Sequence, residues 1–358
     1  SVMFVLIFGS LADVFGKKKI FLVGILVLCF SSIFVAFANS GTVLMLGRFL
    51  QGVGAAMLYA TQTALVSSVY PAKERGKAIG ITLSAVYLGL AVGPSLGGII
   101  MEYLSWRLNF VLHLPLALII LVLLHKVPND SESRLLEEFK FDKTGASLYM
   151  ASIVLLCFGV SSLPNSNSLV LLSLFLITVA LFVSHSLKHS FPIWNLRIFR
   201  NNKMLTKSCL ASYMMYSATY SNVVILSLYL QDLKQLSASQ AGLIMSLQPA
   251  TMAILSSVSG KLSDVIEPRL LATLGMLIAS CSLFALSVLA SSDVSIYFIA
   301  VLVLVGIGFS LFSSPNTNAI MSSVAKENYG LAASTAASTR NLGQLSSIFL
   351  VSFSMSFK

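Results

Sequence analysis

The chain has 358 residues, 56% of them hydrophobic and 10% charged, with a formal net charge of +10. That composition excludes a soluble monomer, because apolar runs of about 20 residues recur along the chain and each is long enough to cross a bilayer core. It also argues against a nucleic-acid partner, since Lys and Arg fall between the apolar runs and not in a patch interleaved with aromatics.

About twelve spans are predicted. The first, Ser1 to about Phe15, is short and opens without Met or a charged n-region, so it reads neither as a signal peptide nor as a complete protein start. The others fall at approximately 20–38, 42–68, 78–101, 108–125, 145–163, 168–187, 208–230, 240–262, 270–290, 295–319 and 331–356. Alternate loops are basic: Lys17 to Lys19, Lys73/Arg75/Lys77, Lys126 to Lys143, Lys188 to Lys207, Lys261/Arg269 and Lys326. The opposite loops, ANSGT, SSLPNSNS and SSDVS, carry almost none, with Arg107 and Lys234 as exceptions. The basic loops are therefore assigned to the cytoplasmic side of the cell membrane. Cys29, Cys157, Cys209 and Cys281 lie in four different runs and read as buried small hydrophobes, neither disulfides nor metal ligands.

The first motif is GSLADVFGKKK, Gly9 to Lys19, at the exit of the first span, and it is echoed by GKLSDVIEPR, Gly260 to Arg269. Both contain Gly-x-Leu-x-Asp-Val, ending in Asp13-Val14 and Asp264-Val265. One copy alone reads as a solvated turn with a capping Asp. Two copies in matching positions point to a parallel repeat of two helical halves, the construction of alternating-access transporters. In the second copy Glu267-Pro268 replaces the Gly-basic part, so only the turn and Asp264 are expected to be kept. Next comes Arg48, costly near the start of an apolar run without a partner or a wet cavity. With Gln51, Tyr59 and Gln62 it forms one polar stripe, read either as facing the bundle interior or as an Arg snorkelling to the outer interface. Arg340, followed by Asn341 and Gln344, is a second intramembrane charge placed similarly in the other half.

Within GITLSAVYLGLAVGPSLGGII, Gly89, Gly93 and Gly97 recur every four residues and form a bare stripe, with Gly80 and Gly98 on the opposite side. Small residues so spaced suit close helix packing in lipid, and Pro94 deletes a donor and is expected to bend the helix. Further on, Tyr213, Tyr216 and Tyr220 share a helical face beside Met214 and Met215. Gln248 and Met252 lie in the next span, and Phe309, Phe312 and Asn316 share a face two spans later. Each alone reads first as core. As a set they suit bulky lipophilic, often cationic compounds, because aromatic faces attract cations and Met adapts to varied shapes. No Asp or Glu falls mid-span: Glu102 and Asp232 lie at outer helix ends, Asp13 and Asp264 at inner ones. The histidines His113, His125, His185 and His189 show no metal-ligand spacing, and PNDSESRLLEEFKFDK has no phosphate-binding glycine loop. That linker reads as a solvated connector. No enzymatic activity, cofactor or metal is expected.

These residues carry a family resemblance. GSLADVFGKKK resembles the loop between the second and third helices of the major facilitator superfamily, and LGRFLQGVGAA, Leu46 to Ala56, is similar to its fourth-helix signature. The Gly80–Gly98 ladder matches the fifth-helix antiporter motif of its drug-export members. WRLNF, FDKTGA, WNLRIFRN and SPNTNAIMSSVAKENYGLAASTAASTRNLGQ resemble the fourteen-helix drug:proton antiporter subfamily. The resemblance implies an all-α integral membrane protein of two pseudo-symmetric helical bundles plus two extra central helices. Its register gives an N-terminal bundle over 1–126, a cytoplasmic linker over 127–143, the added helices over 144–187, a cytoplasmic loop over 188–207 and a C-terminal bundle over 208–358. By the same register the family's first helix is missing and the chain stops in or just after the thirteenth, so a fragment is expected.

The resemblance further implies roles. Asp13 is expected at the N-terminus of the helix from about Gly330, locking the halves on the cytoplasmic side in the outward-facing state, with Gly9 permitting the approach and Gly16 and Lys17 completing the loop. Gly260 and Asp264 form the second copy. Lys17, Lys18 and Lys19 pair with carboxylates or lipid headgroups, or serve as a topology signal alone. Arg48 gains weight as a cavity residue. The implied activity is secondary active export of lipophilic or cationic drug-like compounds by proton antiport, a monomer with protons and the bilayer as partners. The alternatives are a carrier for a sugar or organic anion, against which the ladder argues, and a non-transporting receptor or scaffold, against which Arg48 argues. A membrane acid often resides in the missing first helix, so the coupling site lies there or is absent.

Overall fold

A computed structural model describes residues 1–127, 141–162, 166–289 and 296–356. Regular structure among these is helical: α1 (Val2–Phe15), α2 (Lys17–Ala36), α3 (Gly41–Val69), α4 (Arg75–Tyr103), α5 (Leu108–Val111), α6 (His113–Leu124), α7 (Lys143–Ser161) and α8 (Ser166–Lys188) come first. They are followed by α9 (Arg197–Asn201), α10 (Lys203–Thr219), α11 (Asn222–Leu228), α12 (Ala238–Leu262), α13 (Pro268–Leu289), α14 (Ile296–Ser322) and α15 (Tyr329–Ser356). Eight described helices are long and apolar enough to cross a membrane, and Val2–Phe15 and Leu108–Leu124 are shorter apolar stretches. The loop SSDVS lies wholly and the linker largely outside the described residues, and SSLPNSNS does so at 163–165.

Two expected spans are interrupted. The run at 108–125 breaks after Val111, where Pro115 has no N–H to return to the Val111 carbonyl. The run at 208–230 breaks at Tyr220-Ser221, where short polar side chains compete for the backbone, and ends in a π-helical turn, Tyr229–Leu233. Conversely, α4 runs helical through Pro94.

The described chain forms two compact units. Ser1–Leu65, His113–Tyr220 and Ser323–Lys358 make one; Val66–Leu112 and Ser221–Ser322 make the other. In the first, Leu6 and Ile7 of α1 pack with Ala146, Tyr149 and Ile153 of α7 and Phe182 of α8. Small residues elsewhere, Ala56, Ala60 and Ala337 beside Val5, bring α3, α15 and α1 together. In the second unit Leu226, Tyr229, Leu230, Ala241, Leu286, Phe298, Val301 and Leu302 form one core. There α13 and α14 cross at two glycines: a Cβ on Gly275 would lie 2.6 Å from the Phe312 nitrogen, and one on Gly308 2.6 Å from the Ala279 nitrogen. The outer faces are apolar, as on α6, where Leu116, Leu118, Ile119, Val122 and Leu123 are exposed. Such faces need lipid. Of the cysteines only Cys209 is buried, while Cys281 is exposed on α13 and Cys29 and Cys157 are intermediate, because each sits where its helix face happens to point.

Candidate functional site

The first Asp loop joins α1 to α2 in the first unit. Gly16 has φ 97° and ψ 133°, a conformation closed to residues with a Cβ without strain, and it turns the chain at once from one helix to the next. Asp13, one turn earlier, accepts the backbone N–H groups of Gly330 and Leu331, each at 2.8 Å, at the N-terminus of α15. Helix starts leave such donors unpaired, and their partial positive charge favours a carboxylate. Lys17, nearly buried, stands 4.0 Å from Asp13 on the same side chain's flank. A Cβ on Gly9 would fall onto the Ser334 side chain, and one on Gly330 onto the Asp13 carboxylate. Bare backbone on both helices is what lets α1 and α15 meet here.

The second loop repeats this arrangement in the second unit. Asp264 accepts the N–H groups of Gly76 at 2.7 Å and Lys77 at 2.8 Å, at the N-terminus of α4. A Cβ on Gly260 would meet the Gly76 carbonyl, the Gly80 Cα at 2.8 Å and the Ser314 hydroxyl at 2.8 Å. Asn318 of α14 adds a hydrogen bond to the Ser263 hydroxyl at 3.0 Å. Arg75, buried, donates to the Met321 carbonyl at 3.5 Å. This capped partner went unnoticed in the sequence although it left a trace. The segment Ala72-Lys73-Glu74-Arg75-Gly76 parallels Ala325-Lys326-Glu327-Asn328-Tyr329-Gly330, and each contains a short 3-10 turn, Ala72–Glu74 and Lys326–Asn328, before its helix.

The glycine ladder divides. Gly80 makes the close approach expected of a seam: its Cβ would lie 3.0 Å from the Gly260 Cα and 3.1 Å from the Ser257 Cα of α12. Beside Gly89 and Gly93 no described atom comes within 4 Å of such a Cβ, and beside Gly97 only Asn109 Oδ1 does, at 3.7 Å. Spacing put these three on one face, but α12 packs against the other, the Gly80 side. Pro94 and Gly98 lie in the same continuous helix. Tyr87, which the sequence reading passed over, is buried between the ladder and α14, with its hydroxyl 2.7 Å from Ser313 Oγ and its ring edge-on to Phe309 at 6.0 Å.

The polar stripe on α3 separates into two groups in the first unit. Arg48, exposed, donates to Gln51 Oε1 at 3.1 Å, and Gln51 donates to Ser32 Oγ of α2 at 2.9 Å. Deeper, the Arg340 guanidinium of α15 stands over the rings of Tyr59, 5.6 Å from its centroid, and Tyr216, at 6.0 Å. Gln62 is half-buried one turn beyond Tyr59.

The tyrosine face of α10 is mixed: Tyr216 is buried under Arg340, whereas Tyr213 and Tyr220 are exposed, Tyr213 bonding Ser346 Oγ at 3.0 Å. In the second unit Met252, Phe309, Phe312 and Asn316 are buried and Gln248 is half-buried. Phe312 is among the largest fully buried side chains, so its place is in the core, set by the α13–α14 glycine crossing.

One cluster was not foreseen. Asp142 caps α7, accepting the Gly145 N–H at 2.8 Å, and its carboxylate also meets His185 Nε2 at 2.8 Å and the Ile193 N–H at 3.4 Å. Burial alone would raise the Asp142 pKa, but these hydrogen bonds and the electrostatic interaction with His185 together outweigh it and hold it below the ordinary carboxylate value. His189 stacks on His185 with ring centroids 5.0 Å apart. The reading of the histidines as lacking ligand spacing missed that these two are four residues apart on one helical face.

Comparison with known proteins bears on the identity. The family model described as Major Facilitator Superfamily matches residues 1–347. The chain is 30% identical to the riboflavin transporter RibZ of Clostridioides difficile, over 97% of this chain and 76% of that protein. It is 30% identical to the multidrug resistance protein Stp of Mycobacterium tuberculosis, over 95% of this chain and 64% of that protein. It is 26% identical to the quinolone resistance protein NorB of Staphylococcus aureus, over 92% and 72%. Among solved structures, the human organic anion transporter MFSD10 superposes with a TM-score of 0.67 at 16% identity, covering 98% of this chain and 74% of that one. The proton:xylose symporter XylE gives 0.62 at 15%, covering 99% and 78%. A helical membrane architecture, a family match over nearly the whole chain and relatives that are transporters agree, and the chain belongs to the major facilitator superfamily of membrane transporters.

Proposed function

We propose that the protein is a secondary exporter of lipophilic drug-like compounds, driven by proton antiport and working by alternating access in the cell membrane. The observation that carries this reading is the pair of Asp caps. Each fastens a helix of the first half of the sequence to one of the second, α1 to α15 and α4 to α12, through two charge-assisted backbone hydrogen bonds. Contacts of this kind, few and at helix ends, hold a state yet release it when the end moves. With the basic loops cytoplasmic, both caps close that side in the outward-facing state. Multidrug and quinolone resistance relatives support the drug-like cargo.

Arg48 and Arg340 are the intramembrane charges of this reading. Among the described residues no acid lies mid-span, and the Tyr59 and Tyr216 faces are taken by Arg340, so neutral or anionic head groups suit this region better than cations. A metabolite carrier is the second reading, favoured by the riboflavin transporter relative. The test is transport by vesicles containing the protein under an imposed proton gradient. Gradient-dependent movement of a lipophilic dye, abolished by Arg48→Ala, is expected. Dye accumulation indifferent to both the gradient and Arg48→Ala refutes the exporter, and gradient-driven riboflavin uptake without dye transport favours the carrier.

A further inference from the structure

We propose that Asp142, His185 and His189 form a binding site for a divalent transition metal of the zinc class at the foot of the α7–α8 hairpin. One ligand atom from each residue can be chosen so that all three lie within 4.8 Å of one another. Tetrahedral zinc with nitrogen and oxygen ligands needs neighbouring donors roughly 3.3 Å apart, a contraction that side-chain rotation supplies. His185 and His189 sit one turn apart at the end of α8, where the His189 N–H still donates to the His185 carbonyl at 2.8 Å, so both rings leave the same face.

The donors are also oriented. Asp142, 3% exposed, is fixed by the Gly145 and Ile193 N–H groups and already shares His185 Nε2, the contact that a metal would replace. His189 Nδ1 accepts the Phe191 N–H at 3.2 Å, which leaves Nε2 as its ligand atom. A helix C-terminus favours a cation, although Arg197 already binds the Leu187 and His189 carbonyls there, so selectivity rests on the donors and not on net charge. Two imidazoles and one carboxylate with an open fourth position select zinc, cobalt, nickel or copper over magnesium and calcium. Bound metal would tie together the start of α7, the end of α8 and the segment leading to α9.

The test is Zn²⁺ titration of the untagged, EDTA-treated protein in detergent micelles by calorimetry, with Co²⁺ absorption as a coordination readout. One Zn²⁺ per chain and a Co²⁺ d–d spectrum are expected. His185→Gln and His189→Gln should each weaken Zn²⁺ binding about 10-fold or more. Thermal unfolding without metal should stay unchanged in His189→Gln, which separates a lost ligand from a lost fold, whereas His185→Gln also loses its bond to the buried Asp142, and His125→Gln should bind as the wild type does. Absence of stoichiometric binding, or equal affinity in the two variants and the wild type, overturns the proposal.

Discussion

Substituting alanine for Gly80 tests whether the α4–α12 seam depends on bare backbone. The new Cβ would lie 3.0 Å from the Gly260 Cα and 3.1 Å from the Ser257 Cα, and closer still to the Ser256 carbonyl. All three are main-chain atoms, so no rotamer change relieves the clash and the helices must part by several tenths of an ångström. Overpacking of this kind costs about 1–3 kcal/mol. Helix propensity pulls the other way, favouring Ala over Gly by about 1 kcal/mol at an interior position. Gly242 in α12 supplies the control, because its Cβ would meet nothing within 4 Å while the propensity gain is the same. Thermal unfolding in nanodiscs, followed by tryptophan fluorescence, should place Gly80→Ala below the wild type and Gly242→Ala at or above it. Midpoints that move together in either direction would refute the packing argument, since propensity alone would then decide both.

Asp13→Asn removes the charge from two backbone hydrogen bonds, an effect of about 2–3 kcal/mol that should speed hydrogen exchange at the Gly330 and Leu331 amides roughly 30- to 140-fold. Asp264→Asn should do the same at Gly76 and Lys77 and leave the Gly330 amide unchanged. Gly16→Ala forces a Cβ into a positive-φ position and should cost about 1–3 kcal/mol in unfolding experiments, with Lys19→Ala, at an exposed position, near neutral. Tyr216→Leu removes an aromatic face from Arg340 and should cost about 0.5–2 kcal/mol, whereas Tyr216→Phe, which keeps the face, should cost less when the two are compared by thermal unfolding.

Helix positions were legible because apolar length and loop charge report them directly. The expected 295–319 is Ile296–Ser322, and 145–163 is Lys143–Ser161. Helix starts were harder. The predicted second span began at 20, yet α2 begins at Lys17, because Gly16 turns the chain sharply and lysine stems can lie along a helix while their heads reach outward. The Asp13–Gly330 contact was anticipated through resemblance, but the partner of Asp264, 188 positions away, is marked only by the likeness of the segment before Gly76 to the one before Gly330. Glycine spacing likewise told which residues share a face and not which face has a neighbour, so the Gly89 stripe reads as the seam although Gly80, on the opposite side, makes the close approach. Tyr87 and the Asp142–His185–His189 group depend on which helices become neighbours, and single residues carry no record of that.

At the helix starts both caps read main chain. The two N–H donors at each helix start belong to the peptide groups of Gly76 and Lys77 in one copy and of Gly330 and Leu331 in the other. A lysine and a leucine thus fill equivalent places without altering the bond. Variation at those second positions should be silent, whereas any added carbon at Gly76 or Gly330 would fall onto the carboxylate itself. A contact addressed to the backbone cannot be escaped by changing the chemistry of the recognised residue, only its bulk, so drift along these segments is filtered by size.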